Sequence, residues 1–369
     1  MAIRVLHILH SMNRGGAENA IMNYYRHIDR RKVQFDFLLT ESRKCHFEDE
    51  IRSLGGKVFR VPLLRLSNPW PYLKAVSSFF NNHQEYKIVH SHTSSKSFFP
   101  LCIAKMKGIP VRIAHSHNTR SETGYRGWIR DTLKIVLKRV ANHYFACGEE
   151  AAVWLYGEKY VNEGNVRILP NVIECQKFGF DDNIRSHIRT KLSVNDETLI
   201  VGCVARFSPQ KNLLFAIDVF CRVNEIDRNS KLILVGDGEE RIQIESRILR
   251  LGLSDRIILT GVVSNVSDYE QAMDVFLMPS LFEGLPLSLI EAQISGLRCF
   301  VSTGIPEEVD KTGLVSFLPL EDGAKKWADL IIANKNYERR SHVEELKEVG
   351  YDAETSAEKL QNFYLNVLD

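Results

Sequence analysis

"IRVLHILHSMNRGGAENAIMNYYRHI", residues 3–28, joins an apolar run of strand length to a segment of helical spacing through one short polar turn. The same alternation of β-rich runs and helical segments continues along the chain. Further strands are predicted at "FDFLL" (35–39), "KVFRVP" (57–62), "KIVHSH" (87–92), "VRIAHSH" (111–117) and "HYFAC" (143–147). Strands that alternate with helices form a parallel sheet with helices on both faces. The chain is therefore predicted to be an α/β protein.

The alternation stops once and then begins again. "VRILPNVIE" (166–174) leads into a polar, charged passage, and a second series of strands follows. These strands are predicted at "LIVGCVARF" (199–207), "KLILVGDG" (231–238), "RIILTG" (256–261), "DVFLMPS" (274–280) and "RCFVS" (298–302). A length of 369 residues also fits two domains better than one. We predict a first domain over 1–170, a linker over 171–197, a second domain over 198–350 and a C-terminal helix over 351–369.

Composition points to the cytosol. Hydrophobic residues make up 44% and charged residues 25% of the chain, which is usual for a globular protein. None of the apolar stretches approaches the roughly 20 residues that span a bilayer, and the first ten residues resemble a buried strand more than a secretory signal. The seven cysteines are scattered and include no C-x-x-C. This pattern favours a reducing compartment over disulfides or a structural zinc site.

The net charge of +2 conceals an asymmetry between the two halves. Residues 1–170 contain 26 Lys and Arg against 14 Asp and Glu, a net charge of +12, whereas residues 171–369 contain 22 against 32, a net charge of −10. A basic half suits an anionic partner such as a nucleic acid, a phospholipid surface or a phosphorylated ligand. Two domains that attract each other would produce the same pattern, so both interpretations stay open.

Polar residues directly after predicted strands are the candidates for ligand binding, because open α/β sheets bind ligands beyond the carboxyl ends of their strands. After the first strand, Gly15 and Gly16 allow the backbone to approach a ligand closely. This stretch is not the G-x-G-x-x-G of dinucleotide-binding proteins, and an ordinary turn would look similar. In the loop after the first strand of the second domain, Arg206 and Lys211 suit a phosphate or pyrophosphate. A solvated loop with two cations is the alternative.

Two His-Ser-His stretches end neighbouring predicted strands. Residues i and i+2 of a strand face the same way, so His90 and His92 could cluster with His115 and His117. Four imidazoles suggest zinc. However, no Cys, Asp or Glu accompanies them, and the same arrangement suits hydrogen bonding to a ligand. We favour a polar pocket without a metal.

Two glutamates eight positions apart lie in "LFEGLPLSLIEA" (281–292). Glu283 follows a predicted strand, and Gly284 leaves the next amides open at the start of a helix, where they carry partial positive charge. Glu291 lies farther along this helix. Carboxylates can bind vicinal hydroxyls, so the two acids would hold a ribose and a sugar while Arg206 and Lys211 hold phosphates. The combination indicates a nucleotide sugar.

Together these stretches resemble the retaining glycosyltransferases of family 4. The resemblance rests on the E-x7-E of Glu283 and Glu291, the loop "ARFSPQKN" (205–212), "VGDG" (235–238) and "GGAE" (15–18), in the expected order along nearly the whole chain. It implies the GT-B fold, in which two Rossmann-like domains face each other across a cleft. The acceptor-binding domain comes first and the donor-binding domain second, and a C-terminal helix returns to the first domain. The pattern looks closest to bacterial enzymes that build capsular polysaccharides and exopolysaccharides.

The resemblance also implies a role for each candidate residue. Arg206 and Lys211 would neutralise the donor pyrophosphate, Glu291 would bind the ribose diol, and Glu283 would bind hydroxyls of the transferred sugar. His117 would lie near the reacting carbon. Backbone contacts to the donor are implied at Gly15, Gly16, Val263, Gly284, Leu285 and Leu287. Pro286 stands where many members have glycine, and Gly148 where serine is frequent; both leave the choice of sugar open.

The implied reaction is transfer of a sugar from a nucleotide-diphosphate sugar, with a UDP-sugar favoured, to a hydroxyl with retention at the anomeric carbon. No Asp-x-Asp occurs in the sequence, so the two cations and the helix N-terminus would stabilise the leaving group without a metal or cofactor. The first domain offers no obvious carboxylate nucleophile near His117, which favours a front-face route. A sugar-nucleotide epimerase or hydrolase and a non-catalytic sugar-nucleotide-binding protein are the alternatives. A nicotinamide-dependent oxidoreductase is disfavoured because the glycine fingerprint is missing.

A basic stripe suggests a second kind of partner. In "TGYRGWIRDTLKIVLKRVA" (123–141), Arg126, Arg130, Lys134 and Lys138 recur every four residues beside apolar residues that include Trp128. Such a helix can lie on an anionic bilayer, although any surface helix of an α/β domain also needs an apolar face. We therefore expect a cytoplasmic protein with peripheral binding to the cytoplasmic membrane face, a lipid-linked or oligosaccharide acceptor, and no nucleic acid.

Overall fold

The computed structural model describes residues 2–13, 15–117 and 125–368, without the side chains of 125–128 and 130. The chain divides into two compact units. Unit 1 comprises Met1–Ile173 and Gly350–Asp369, and unit 2 comprises Glu174–Val349. Each unit has its own sheet and its own hydrophobic core.

Unit 1 is built on a parallel sheet of seven strands in the order β3-β2-β1-β4-β5-β6-β7. The strands are β1 (Ile3–Leu9), β2 (Val33–Leu39), β3 (Val58–Arg60), β4 (Ile88–Ser91), β5 (Val111–Ser116), β6 (His143–Ala146) and β7 (Val166–Ile168). The order reverses between β1 and β4, so this is a doubly wound sheet whose ligand crevice is expected at the carboxyl ends of these two strands.

Helices cover both faces of this sheet. They are α1 (Gly16–His27), α2 (Glu48–Ser53), α3 (Trp70–Asn82), α4 (Phe98–Met106), α5 (Tyr125–Leu137), α6 (Glu149–Tyr156) and α7 (Glu158–Asn162), with a 3-10 turn at Ser94–Ser97. The C-terminal helix, Ala353–Asn366, also belongs to unit 1. Asp352 caps its first turn by accepting from the Thr355 amide at 3.1 Å, and Leu360 and Tyr364 lie in the same core as β1 and β2. This helix therefore completes the first core from the far end of the chain.

Unit 2 repeats the doubly wound plan with six parallel strands in the order β10-β9-β8-β11-β12-β13. The strands are β8 (Leu199–Val204), β9 (Ser230–Val235), β10 (Ile257–Gly261), β11 (Val275–Met278), β12 (Arg298–Ser302) and β13 (Val315–Leu318). The helices are α8 (Cys175–Phe178), α9 (Asp182–Lys191), α10 (Leu213–Ile226), α11 (Arg241–Arg250), α12 (Val266–Ala272), α13 (Leu287–Ile294), α14 (Gly323–Ala333) and α15 (Val343–Glu348), with 3-10 turns at Pro209–Lys211, Glu307–Val309 and Leu320–Asp322. The C-terminal helix Ala353–Asn366 is α16. The predicted series of strands in this half lacked β13, a short strand at the sheet edge.

Residues 171–197, expected as a linker, contain α8 and α9, and both helices belong to unit 2. Arg189 of α9 is 1% exposed; it donates to the Ala272 and Thr198 carbonyls and lies 3.3 Å from the Asp274 carboxylate. Arg185 binds the same carboxylate at 2.5 Å. The arginines of this segment bind an acid and backbone carbonyls inside unit 2. The prediction of a linker was therefore wrong, because the polar residues belong to the interior of the unit.

Asp274→Ala is expected to lower the free energy of unfolding of unit 2 by about 3 kcal/mol, because it leaves the buried Arg189 without its carboxylate. It also removes the acceptor of the Ile200 amide, which lies 2.7 Å from Asp274 Oδ2. Urea denaturation would measure the loss. Asp196→Ala is the control, since this carboxylate is 92% exposed and 3.9 Å from Arg189. Equal stability of the two variants would contradict the assignment.

Candidate active site

The loop after β8 carries the predicted cations. Arg206 is exposed, and Lys211 ends the 3-10 turn Pro209–Lys211. Asn212 follows with φ of 52°, a left-handed conformation that Asn tolerates better than most residues, and its side chain donates to the Pro279 carbonyl at 3.2 Å. This turn reverses the chain into α10. It also ties the loop to the end of β11, where the predicted glutamate motif begins.

Lys211 and Glu283 form an ion pair between the two loops. Lys211 Nζ lies 2.6 Å from Glu283 Oε1, and the two side chains are 19% and 7% exposed. The pair is largely sheltered from water, where its attraction is screened less than on the surface. A cation and an acid assigned to different parts of one ligand are thus in contact at the carboxyl ends of β8 and β11.

Two further residues hold Glu283 in place. The Gln210 side chain donates to the Phe282 carbonyl at 2.9 Å and to Glu283 Oε2 at 3.3 Å. The Glu283 amide donates to the Gly304 carbonyl at 3.1 Å. A Cβ at position 304 would lie 2.3 Å from the Leu281 carbonyl oxygen, so only glycine allows this close approach. The sequence analysis did not predict a role for Gln210 or Gly304. The only feature that could have indicated one is that both residues follow strands closely.

Glu291 is the fifth residue of α13, which begins at Leu287. Burial raises the pKa of Glu291 to about 7, and the nearby Lys177 ammonium limits the rise. A second acid, Glu270 of α12, is fully buried, and neither of its carboxyl oxygens has a hydrogen-bond partner among the described residues. Burial raises the pKa of Glu270 well above its usual value, and the Glu291 charge adds to this rise. Glu291 therefore has an acidic neighbour that no sequence pattern indicated.

Five histidines cluster at the carboxyl ends of β1, β4 and β5 in unit 1. The prediction that the four His-Ser-His imidazoles come together is confirmed: His90 Nε2 lies 3.1 Å from His115 Nδ1, and His92 Nδ1 lies 2.9 Å from His117 Nε2. His7 is the fifth, with Nδ1 3.0 Å from His92 Nε2. The sequence could have placed His7 in this cluster only if the strand order had been known, because β1 pairs with β4 in a register that sets His7 beside His90.

The cluster is sheltered from solvent and held without charge. Burial lowers the pKa of His7 to about 3 and that of His117 to about 4. The pKa values of His90, His92 and His115 fall well below the ordinary value, mainly through burial and further through neighbouring imidazoles. The Tyr364 hydroxyl of α16 lies 2.6 Å from His90 Nδ1. Neutral imidazoles thus form two hydrogen-bonded chains below the expected ligand crevice, His7–His92–His117 and Tyr364–His90–His115.

Two groups of three imidazoles have ring nitrogens close enough to share an ion. They are His7, His90 and His92, and His92, His115 and His117, with the nitrogens of each group within 4.8 Å of one another. Neutral nitrogens are the form that binds zinc. However, these nitrogens already face one another at hydrogen-bond distance, and none of the described acids contacts a ring nitrogen of the five. Three ring nitrogens, His7 Nε2, His115 Nε2 and His117 Nδ1, have no hydrogen-bond partner among the described residues, so the metal-free pocket stays a prediction.

The remaining predicted donor contacts are backbone positions. Gly15 precedes α1 in an extended conformation, and Gly16 is its first residue. Val263 follows β10, and Gly284 and Leu285 lie in the bend before α13. Leu287 is the first residue of α13, whose N-cap is Pro286. All of these positions therefore lie at the carboxyl ends of strands or the starts of helices, as a ligand site in this kind of sheet requires.

The basic stripe on α5 differs from the expectation. Lys134 Nζ lies 4.1 Å from the Trp154 ring centroid and 3.0 Å from an Asp131 oxygen, and Lys138 Nζ lies 4.7 Å from the Tyr160 ring centroid. The side chains of Arg126, Trp128 and Arg130 lie outside the described residues. Leu133, Leu137 and Val140 are buried. The described part of α5 and the turn after it thus pack apolar side chains into unit 1 and place Lys134 and Lys138 on aromatic rings.

Two family models match most of the chain. "Glycosyltransferase Family 4" covers residues 14–177, and "Glycosyl transferases group 1" covers residues 198–334. EpsF of Bacillus subtilis (strain 168), a glycosyltransferase by name, is 37% identical over 98% of this chain and 96% of its own. The chain belongs to glycosyltransferase family 4. It is thus a glycosyltransferase, as the resemblance of its motifs predicted.

Other relatives carry more specific names. The capsular polysaccharide biosynthesis glycosyltransferase CapH of Staphylococcus aureus is 26% identical over 99% of both chains. The UDP-Gal:α-D-GlcNAc-diphosphoundecaprenol α-1,3-galactosyltransferase of Escherichia coli is 24% identical over 81% of this family 4 chain and 79% of its own. Among solved structures, Anabaena Alr3699/HepE in complex with UDP matches with a TM-score of 0.77 at 16% identity, over 98% of this chain and 99% of that one. The predicted GT-B fold class is confirmed.

Proposed function

We propose that this glycosyltransferase transfers a sugar from a UDP-sugar to a hydroxyl of a lipid-linked or polysaccharide acceptor, with retention at the anomeric carbon, in the synthesis of a bacterial surface polysaccharide. Unit 1 would bind the acceptor and unit 2 the donor. The observation that carries the proposal is the sheltered Lys211–Glu283 pair at the carboxyl ends of β8 and β11. A cation and a hydroxyl-binding acid in direct contact suit a ligand whose phosphates adjoin a sugar.

Departure of the nucleotide is the step that needs charge stabilisation. Negative charge develops on the pyrophosphate as its bond to the sugar breaks, and preorganised cations stabilise it because they need no reorganisation at that moment. Lys211 is held by Glu283, and Arg206 is exposed on the same loop and available to a phosphate. The first amides of α13 add partial positive charge near Gly284 and Leu285. These groups would stabilise the leaving group without a metal.

The remaining candidate residues would contact the sugar and the ribose of the same donor. Glu283 would accept hydrogen bonds from the sugar hydroxyls, and Glu291 would accept them from the ribose. His117 would lie near the reacting carbon, and because it is neutral it can bond a sugar hydroxyl without repelling positive charge that develops there. Backbone groups at Gly15, Gly16, Val263, Gly284, Leu285 and Leu287 would complete the donor site. The proton of the acceptor hydroxyl would pass to the departing phosphate on the same face of the sugar.

A lipid-linked acceptor is supported by the relatives and by charge. The Escherichia coli relative is named for a diphosphoundecaprenol acceptor, and residues 1–170 of this chain carry the net charge of +12. None of the described helices is long and apolar enough to cross a membrane. The protein would therefore meet its acceptor by peripheral binding to the cytoplasmic face of the membrane, through basic surfaces that attract anionic lipids.

Donor recognition tests the proposal. Thermal shifts with UDP, GDP and ADP should be largest with UDP, and incubation with UDP-sugars without acceptor should release UDP slowly by transfer to water. A chelator should leave this release unchanged. A sugar altered at one carbon would instead indicate an epimerase, and tight binding without any turnover would indicate a non-catalytic binding protein. Stronger stabilisation by GDP or ADP would contradict the choice of nucleotide.

A further inference from the structure

An apolar groove runs between α3 and α4 on the surface of unit 1. It has a volume of about 910 Å³, within the range of sites that hold small organic ligands. Its lining residues recur at helical spacing on one face of each helix: Trp70, Leu73, Lys74 and Ser77 from α3, and Phe98, Phe99, Cys102, Ile103 and Met106 from α4. Trp70 is 74% and Met106 79% exposed. Large apolar side chains this exposed in one groove mark an interaction site.

The groove opens at the active-site edge of the sheet. Helices between parallel strands run antiparallel to them, so α3 and α4 begin at the carboxyl ends of the strands. Phe98 begins α4 directly after the 3-10 turn Ser94–Ser97 that follows β4. The histidine cluster lies on the other face of the sheet, where residues of α1 and α16 line it, whereas α3 and α4 pack on Leu6, Ile8 and Val89. A ligand in the groove would thus have one end at the carboxyl edge of the sheet and extend away from it along the helices.

Charge around the groove selects an anionic ligand. Lys74 and Lys107 line it, and none of its lining residues is acidic. An apolar groove lined by basic residues fits a hydrocarbon chain that carries a phosphate head group. An amphipathic peptide helix fits less well, because its polar face would meet a surface with cations alone.

We propose that the α3–α4 groove binds the hydrocarbon chain of the lipid-linked acceptor, with its phosphates drawn toward the basic residues beside the groove. The inference rests on the proposed function for the identity of the acceptor. It adds a place for the lipid, separate from the residues assigned to the donor. Binding one lipid chain would also bring the sugar-bearing end of the acceptor to the strand ends of unit 1.

Farnesyl diphosphate serves as a soluble probe of an isoprenoid chain with a pyrophosphate. The full chain is titrated with it in the presence of saturating UDP, which occupies the proposed donor pyrophosphate site, and inorganic pyrophosphate is titrated in parallel. We expect Trp70→Ser and Met106→Lys each to weaken farnesyl diphosphate binding about tenfold or more. Ile135→Ser on α5, whose residue is 65% exposed, is the control and should bind as the unchanged protein does.

Cys102 gives a second measurement inside the groove. It lines the groove and is partly exposed, and Cys221 of unit 2 is also partly exposed. Farnesyl diphosphate should slow alkylation of Cys102 and leave that of Cys221 unchanged, as measured by peptide mass spectrometry. This measurement does not depend on sugar transfer.

The outcomes separate the two proposals. Failure of UDP to bind would count against the proposed function, whereas protection of Cys102 is read independently of it. The groove assignment is overturned if farnesyl diphosphate does not bind, if the groove variants bind it as the control does, or if pyrophosphate alone binds equally well. Loss of a concentration-dependent dimer in the Trp70 and Met106 variants, without an effect on the probe, would show a second copy as the occupant and also overturn it.

Discussion

Glu283→Gln and Lys211→Ala are each expected to lower the rate of sugar transfer by about 10²–10³-fold, the usual loss when one preorganised electrostatic contact to a transition state is removed. Glu283→Gln keeps the size of the side chain but removes the charge that holds Lys211 Nζ at 2.6 Å. Lys211→Ala removes the cation itself. Release of UDP from a UDP-sugar, followed by chromatography, measures both variants.

Stability must be followed in the same variants, because Glu283 is only 7% exposed and Lys211→Ala leaves its carboxylate without the ammonium. Circular dichroism during heating would show whether unit 2 stays folded. Lys326→Ala is the matched control, since Lys326 also forms an ion pair in unit 2, with Asp322, but is 60% exposed. Turnover near that of the unchanged protein in either site variant would contradict the proposed donor site.

Acid is expected to destabilise unit 1 strongly because five of its histidines are sheltered from water, three of them buried and His92 and His117 half-buried. The pKa of each is below the ordinary value near 6.5 in the folded state, so the unfolded chain binds protons that the folded chain does not. The stabilisation is present above pH 6.5 and is lost as the pH falls below it. Each histidine contributes about 1.4 kcal/mol per pH unit there. A loss of several kcal/mol in unfolding free energy between pH 7 and pH 5.5 is therefore expected.

Hydrogen exchange of peptides from β1, β4 and β5 measures this loss locally. His115→Phe should reduce its pH dependence by about 1.4 kcal/mol per pH unit, because one buried titrating group is removed. His187→Gln, at an exposed position on α9, should leave it unchanged. If exchange in these strands were equally slow at pH 5.5 and pH 7, the assignment of these histidines as neutral would be contradicted.

The fold class could be predicted because local patterns specify it. Strand-length apolar runs alternating with helical segments predict parallel sheets, and the strand predicted at residues 3–9 matches β1. The sequence also indicated that Arg206, Lys211 and Glu283 follow strands, and the structure places them after β8 and β11. It did not indicate β13, a strand of only four residues at the sheet edge. It also mistook residues 171–197 for a linker, because polarity alone does not show that Arg189 is buried against Asp274.

The sequence by itself determined the two α/β halves, their strand-end motifs and the family to which the chain belongs, because these depend on residues that are near one another along the chain. Tertiary structure alone decided which distant residues meet. His7 joins His92 because β1 lies beside β4, and Tyr364 reaches His90 because α16 packs on the first unit. Only the structure showed that Glu270 is buried and that the charge of Glu291 acts on it. Strand order and burial are properties of the whole chain, so no local spacing could reveal these contacts.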